Sequence, residues 1–186
     1  MRETPLDVDD ITRLARLIGA RNAIDNDIAG LIGRPAQIGH LGEYIAARIF
    51  DIELEESATH KGSDGDFRGG PLAGQTVNIK WYGKLEGVLD INPEATPDYY
   101  LVLAGPRSAA ASSRGTVRPW VIESVYLFDT HKLMPALRDR GVRLGIATSV
   151  AKQFWDEAEI YPSQRNQKVM LSDEQRGLLS LFAGAD

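Results

Sequence analysis

A chain of 186 residues with 43% hydrophobic content is long enough to bury one sizeable core, as a single compact domain with room for an N-terminal appendage. The absence of cysteine excludes a disulfide framework and any thiolate metal site, and no apolar run approaches the roughly 18 residues a membrane-spanning helix needs. With no charged-then-apolar leader and no lipidation pattern, a cytoplasmic protein is expected. A net charge of -5 argues against a protein that coats nucleic acid non-specifically, though a local basic patch remains compatible with it.

From the N-terminus, Leu6, Ile11, Leu14, Ala15, Leu17 and Ile18 recur at helical spacing, with Thr4 as cap and Pro5 in the first turn. A second, shorter helix is predicted over 25–32, capped by Asp25 or Asn26 and ended by Gly33 and Pro35. A third covers Ile38 to Phe50. The segment 61-KGSDGDFRGGPLAGQTVNIKWYG-83 reads as a hairpin whose two strands flank a Gly/Pro turn, the second running from Gln75 to Trp81. The continuous apolar run 99-YYLVLAG-105 is expected mid-sheet, covered on both faces.

After a loop of small residues, 120-WVIESVYLFD-129 supplies another strand, and Asp129 or Thr130 starts a helix in which Pro135 belongs to the first turn. The run 144–150 is a short strand or edge. Ser172 and Gln175 form a capping-box pair ahead of Leu178, Leu179, Leu181 and Phe182, with Gly184 as the stop. Trp81 and Trp120, both in apolar strand context, are expected in the core. The order of helices, three or four strands and helices again predicts a mixed α/β sheet flanked by helices.

Side chains alternate along a strand, so Thr76, Asn78, Lys80 and Tyr82 share one face while Val77, Ile79 and Trp81 take the other. An amide and an ammonium two positions apart in so apolar a strand call for a reason. Asp64 and Asp66 have equal parity on the facing strand, and a hairpin register can set either beside Asn78 and Lys80. Upstream, Glu43 stands on a helix among Gly39, Ala46 and Ala47, small neighbours that let this helix approach a sheet closely. The bland alternative is Lys80 paired with Asp66 on an exposed face and a solvated Glu43.

The combination of Glu43 on the first core helix, Asp64 in 61-KGSD-64 and 78-NIK-80 resembles the PD-(D/E)XK nuclease superfamily over about Ile38 to Phe128. The resemblance implies a restriction-endonuclease-like core over 38–186 with an N-terminal helical extension over 1–37. It implies a nuclease cutting DNA phosphodiester bonds, with Mg²⁺ or Mn²⁺ held by Asp64 and Asn78, or by Asp66 in place of Asp64. Glu43 would assist, and Lys80 would stand beside the attacking water. Asn78 departs from the family pattern, where a carboxylate is commoner. Hard Mg²⁺ needs only a few oxygens from adjacent elements, since it keeps several waters.

The loop 105-GPRSAAASSRGTVRP-119 carries Arg107, Arg114 and Arg118 and no acid, a basic strip suited to a phosphate backbone. A homodimer is expected, because a two-fold pair brings one site to each strand of a duplex and the N-terminal helices carry an apolar face. A different class of function starts from 27–46, where the spacing resembles helix-turn-helix phasing with Gly33 at the turn and Arg34, Gln37 and His40 as base-reading candidates. That reading makes the chain a non-catalytic DNA-binding regulator; an inactive nuclease fold used in assembly is a third possibility.

Overall fold

The computed structural model describes residues 8–55, 62–107 and 118–184, so the Thr4, Pro5, Leu6 and Arg114 of the sequence reading lie outside the described residues. The chain divides into two compact units, 1–41 and 42–186, and the division falls inside the helix over Ile38–Phe50 rather than before it.

In the first unit, α1 is one helix of 25 residues, Val8–Ile32, where two helices were expected. The stretch between them, 19-GARNAI-24, sets the weak helix formers Gly19 and Asn22 among alanines, an arginine and an isoleucine, and a single interior Gly costs only about 1 kcal/mol. Asp25, expected as a cap, instead makes an ion pair one turn back to Arg21 at 3.4 Å. The helix ends as predicted, at Gly33, whose φ of 71° is the left-handed value that closes a C-terminus, with its N–H donating to the Ala29 carbonyl at 2.9 Å.

In the second unit a mixed six-stranded sheet runs in the order β1 (Ile52–Leu54), β2 (Gly65–Phe67), β3 (Thr76–Tyr82), β5 (Tyr99–Ala104), β6 (Ser124–Asp129), β8 (Glu159–Tyr161). β3 and β5 are parallel; the other neighbours in this sheet are antiparallel. A separate two-stranded ladder joins β4 (Val88–Leu89) to β7 (Thr148–Ser149). The expected mixed α/β sheet with flanking helices is therefore present, and every residue of β5 is buried, as a central strand requires.

The helices cover both faces. Tyr100, Val102 and Ala104 of β5 and Tyr126 and Phe128 of β6 pack with α3 (Thr130–Asp139) and α4 (Lys152–Ala158). On the other face α2 (Ile38–Phe50) comes so close that a Cβ at Gly42 would stand 3.0 Å from the Cβ of Trp81. The C-terminal α5 (Asp173–Ser180) joins this layer, its Gln175 Nε2 donating to the Ile49 carbonyl at 2.7 Å. Ser172 and Gln175 form the predicted capping box, but the helix ends at Ser180, before Gly184.

Two expectations are corrected here. Pro135 is the sixth residue of α3, not part of its first turn. The burial of Leu133, Met134 and Leu137 holds the helix through the missing N–H. Trp120 lies outside the strand, which begins only at Ser124, and is 40% exposed, whereas Trp81 is buried as expected. Trp155 is the keystone of the α3/α4 face: its ring meets Tyr126 and Phe128 edge-on, each with centroids 4.9 Å apart, and its Nε1–H donates to the Val150 carbonyl. Trp155→Ala should therefore cost about 3–5 kcal/mol, read as the shift of a urea-unfolding midpoint.

Candidate functional site

The site is built on the unpaired edge of β3. β2 pairs with β3 only as far as Gly65 opposite Val77, and among the described residues no strand lies beside that edge from Asn78 onward. Asp64 fills the gap with its side chain: Oδ2 accepts the Ile79 backbone N–H at 2.7 Å, standing in for a strand carbonyl. Its backbone N–H donates to the Val77 carbonyl at 2.8 Å. The following residue must be glycine, since a Cβ at Gly65 would stand 2.2 Å from the Glu53 carbonyl oxygen of β1. Sequence and geometry agree on why 64-DG-65 lies at this point.

The predicted face of β3 is present, with Thr76, Asn78, Lys80 and Tyr82 on one side and Val77, Ile79 and Trp81 on the other. Parallel register sets Asn78 beside Tyr100 and Lys80 beside Val102, so the polar face runs into the main core rather than into water. Asn78 is buried at 8% exposure, and its Oδ1 has no hydrogen-bond partner among the described residues. Lys80 is half-buried. Burial raises the pKa of the Tyr100 phenol, a backbone N–H from Asn92 opposes this, and the negative charge of Asp64 adds to the rise. The Asp64 carboxylate is thus felt at the Asn78–Tyr100 pair.

Asp66 pairs with Thr76 in the β2–β3 ladder and with Glu53 in the β1–β2 ladder, one pleat from Asn78. Glu43 is half-buried on α2, directly after Gly42, on the helix that lies over the opposite, Val77–Ile79–Trp81 side of the sheet. Asp64, Asn78 and Lys80 are therefore brought together by strand geometry, and Glu43 belongs to a helix on the other side of the same edge. Among the described residues no group of three His, Asp or Glu side chains is arranged to hold a metal ion.

Three residues absent from the sequence reading organise this face. Asp98 Oδ2 accepts both the backbone N–H and the hydroxyl of Thr76, each at 2.9 Å, and Asp98 Oδ1 meets His131 Nε2 at 3.0 Å. Asp90 receives the Tyr82 hydroxyl at 3.3 Å and holds the Ala147 N–H at 2.7 Å. Burial, chiefly, drives the Tyr82 phenol well above its ordinary range. Tyr100 is the third. The even face of β3 is thus clamped at both ends, by Asp98 and Asp90, with Asn78 and Lys80 between. The register that places these partners beside β3 comes from long-range pairing, which no local pattern in the chain announces.

The basic loop is only partly a basic surface. Arg118 makes a two-pronged pair with Glu86, both contacts at 3.1 Å, while Arg107 is exposed. His40 Nδ1 lies 2.9 Å from the Pro35 carbonyl and serves the turn before α2. A cavity of about 220 Å³ lies beside Tyr99, Asp129 and Lys168, away from Asp64, Asn78 and Lys80.

No family model and no curated protein sequence matches this chain. None of the described helices is long and apolar enough to cross a membrane.

Burial pushes the Asp98 carboxyl upward, but the bonds from His131 and Thr76 outweigh it and hold its pKa below the usual carboxylate value. A depressed carboxylate stabilises the fold above its unfolded pKa and loses that contribution as pH falls through the folded value. Asp98→Asn should accordingly lower stability at neutral pH and flatten the loss of stability below the ordinary carboxylate range, as measured by thermal melts from neutral pH to strong acid.

Proposed function

We propose that the chain is a metal-dependent nuclease of restriction-endonuclease-like fold that hydrolyses DNA phosphodiester bonds at the Asp64–Asn78–Lys80 edge. The observation that supports this best is the buried Asn78 Oδ1, without a partner among the described residues, beside a strand edge capped by a carboxylate. A buried carbonyl oxygen left unbonded costs about 1–3 kcal/mol, which marks it as a donor kept for something outside the chain.

The donor chemistry fits a weak divalent site. Asp64 supplies a charged oxygen and Asn78 a neutral one, both of the hard type that Mg²⁺ and Mn²⁺ take, and such ions need few protein ligands because phosphate and water complete the shell. Asp66 is the alternative carboxylate, and Glu43 the helper from across the edge. A bound divalent ion would neutralise charge on the scissile phosphate and make a nearby water more acidic. The chain's own part is positional. Lys80, two residues from Asn78 on the same face, offers an ammonium to orient a water or a phosphate oxygen. The exposed Arg107 would contact the phosphate backbone, while Arg118, held by Glu86, contributes less.

With one carboxylate fewer than the common pattern, metal affinity should be poor, and cleavage should require high Mg²⁺ or Mn²⁺. Asn78→Glu should strengthen Mn²⁺ binding in calorimetric titration and raise plasmid nicking. In that background Asp64→Ala or Lys80→Ala should lower nicking about a hundredfold or more without unfolding the protein. If Asn78→Glu merely destabilises the chain and neither protein binds Mn²⁺, the metal site on this strand is wrong, and a non-catalytic DNA-binding or assembly role takes its place.

A further inference from the structure

Every residue from Asp9 to Ile24 on α1 is exposed, including Ile11, Leu14, Leu17, Ile18 and Ile24, each at least half open to solvent. Leu31 is 73% exposed, and Ile28 and Ile32 are half-buried. These positions are not scattered. Ile11, Leu14, Ile18, Arg21, Asp25, Ile28 and Ile32 follow one another at alternating steps of three and four, the a/d seam of a heptad, and Leu17, Ile24 and Leu31 lie along one flank of it. The seam is apolar except at its middle, where Arg21 and Asp25 face the same way and pair at 3.4 Å.

Those two charges choose the occupant. A seam of alternating a and d positions can meet a like seam in parallel or antiparallel. In parallel and in register, Arg21 would meet a second Arg21 and Asp25 a second Asp25, which is unfavourable in an apolar setting. Antiparallel pairing centred on Ala23 instead sets Arg21 against the partner's Asp25. It also sets Leu14 against the partner's Ile32 and Ile18 against the partner's Ile28, each apolar side chain on an apolar one. Sliding by one heptad puts a charge opposite an isoleucine or leucine. Only this arrangement matches the layers from Leu14 to Ile32 in both polarity and sign, with Ile11 beyond the end of the partner helix.

We infer that α1 pairs antiparallel with α1 of a second copy of this chain, in the register that joins Arg21 of each to Asp25 of the other. The four charges at the centre cost stability relative to an apolar layer and set orientation and register, the best-attested use of polar groups in such seams. The flank adds Leu17 and Leu31 on each side and brings Ile24 near its own symmetry mate. This pairing concerns the first unit alone and is independent of any activity at the Asp64–Asn78–Lys80 edge.

Sedimentation equilibrium on the full chain, without metal or nucleic acid, should show a dimer at tens of micromolar. Arg21→Asp should weaken association at least about tenfold, because two Asp would then face two Asp, and Asp25→Arg should do the same. An equimolar mixture of these two variants should associate again with near wild-type affinity. Within each variant the one-turn pair stays like-charged, so mixing can repair only contacts between chains. Since the altered residues lie on the exposed helix, circular dichroism and the thermal midpoint should change little, separating loss of pairing from loss of folding. Orientation is read independently: the chain has no cysteine, so Thr12→Cys takes a single nitroxide label. Antiparallel pairing separates the two labels by about 33 Å along the axis at 1.5 Å per residue, whereas parallel pairing sets them side by side. A monomer at all concentrations, no recovery on mixing, or a short label distance would each overturn the proposal.

Discussion

The second unit is organised by a strand buried on both faces. All six residues of β5 are out of solvent, so helices must cover both sides of the sheet and both of its edges must be paired. β3 takes one edge in parallel over six residues, from Val77 beside Tyr99 to Tyr82 beside Ala104. That single register places Asn78 next to Tyr100 and Lys80 next to Val102, and Tyr100 and Val102 belong to the apolar cluster packed with α3 and α4. It also determines which side of β3 remains for β2. Because β2 is only three residues long, no strand among the described residues covers this side of the far half of β3, and the carboxylate of Asp64 satisfies the Ile79 N–H there. The polar pair in an apolar strand therefore stands where a fully covered sheet passes into an uncovered edge.

Much of this unit was legible in the chain. The hairpin over 61–83, the interior strand at 99–105 and the Ser172–Gln175 cap rest on local signals, namely turn glycines, an unbroken apolar run and a reciprocal side-chain motif, and each is found. Alternation along β3 sorted its two faces correctly, because a period of two holds wherever a strand forms. β7 falls inside the run 144–150 read as a short strand or edge, but the two- and three-residue strands β1, β4 and β8 were not legible. They owe their conformation to partners far away in sequence, and so few residues carry no period of their own. Asp90 and Asp98 were missed for a related reason: each lies in a loop, and only the ladder brings it to Tyr82 or Thr76.

The error at the N-terminus has a different origin. Asp25 and Asn26 are good caps, and reading them as such divided one helix into two. A capping residue begins a helix only where the preceding turn is free to end, and 19-GARNAI-24 offers nothing that ends one. The Arg21–Asp25 pair instead holds the middle of α1 together. The apolar spacing that predicted the helix was correct, but spacing reports only that a face seeks cover, not whether the cover is this chain's core or another molecule. On α1 the face stays in solvent over most of its length, the opposite of α2, whose Gly42, Ile45, Ala46 and Ile49 are buried.

Asn78 joins these threads energetically. In a position this buried, leucine would fill a similar volume without leaving a carbonyl unbonded, so by packing alone asparagine is the poorer choice. A glutamate would be poorer still in the isolated chain, since an unpaired buried carboxylate costs more than an unpaired amide. Asparagine is thus the intermediate that keeps an oxygen donor at the open edge while sparing the fold a second buried charge beside Asp64. Lys80, one pleat along, is half-buried, and the Asn78 oxygen has no hydrogen-bond partner among the described residues. On the proposed reading the same balance explains a site that binds its cation weakly: what the strand gains in stability by lacking a carboxylate is what the metal loses in affinity.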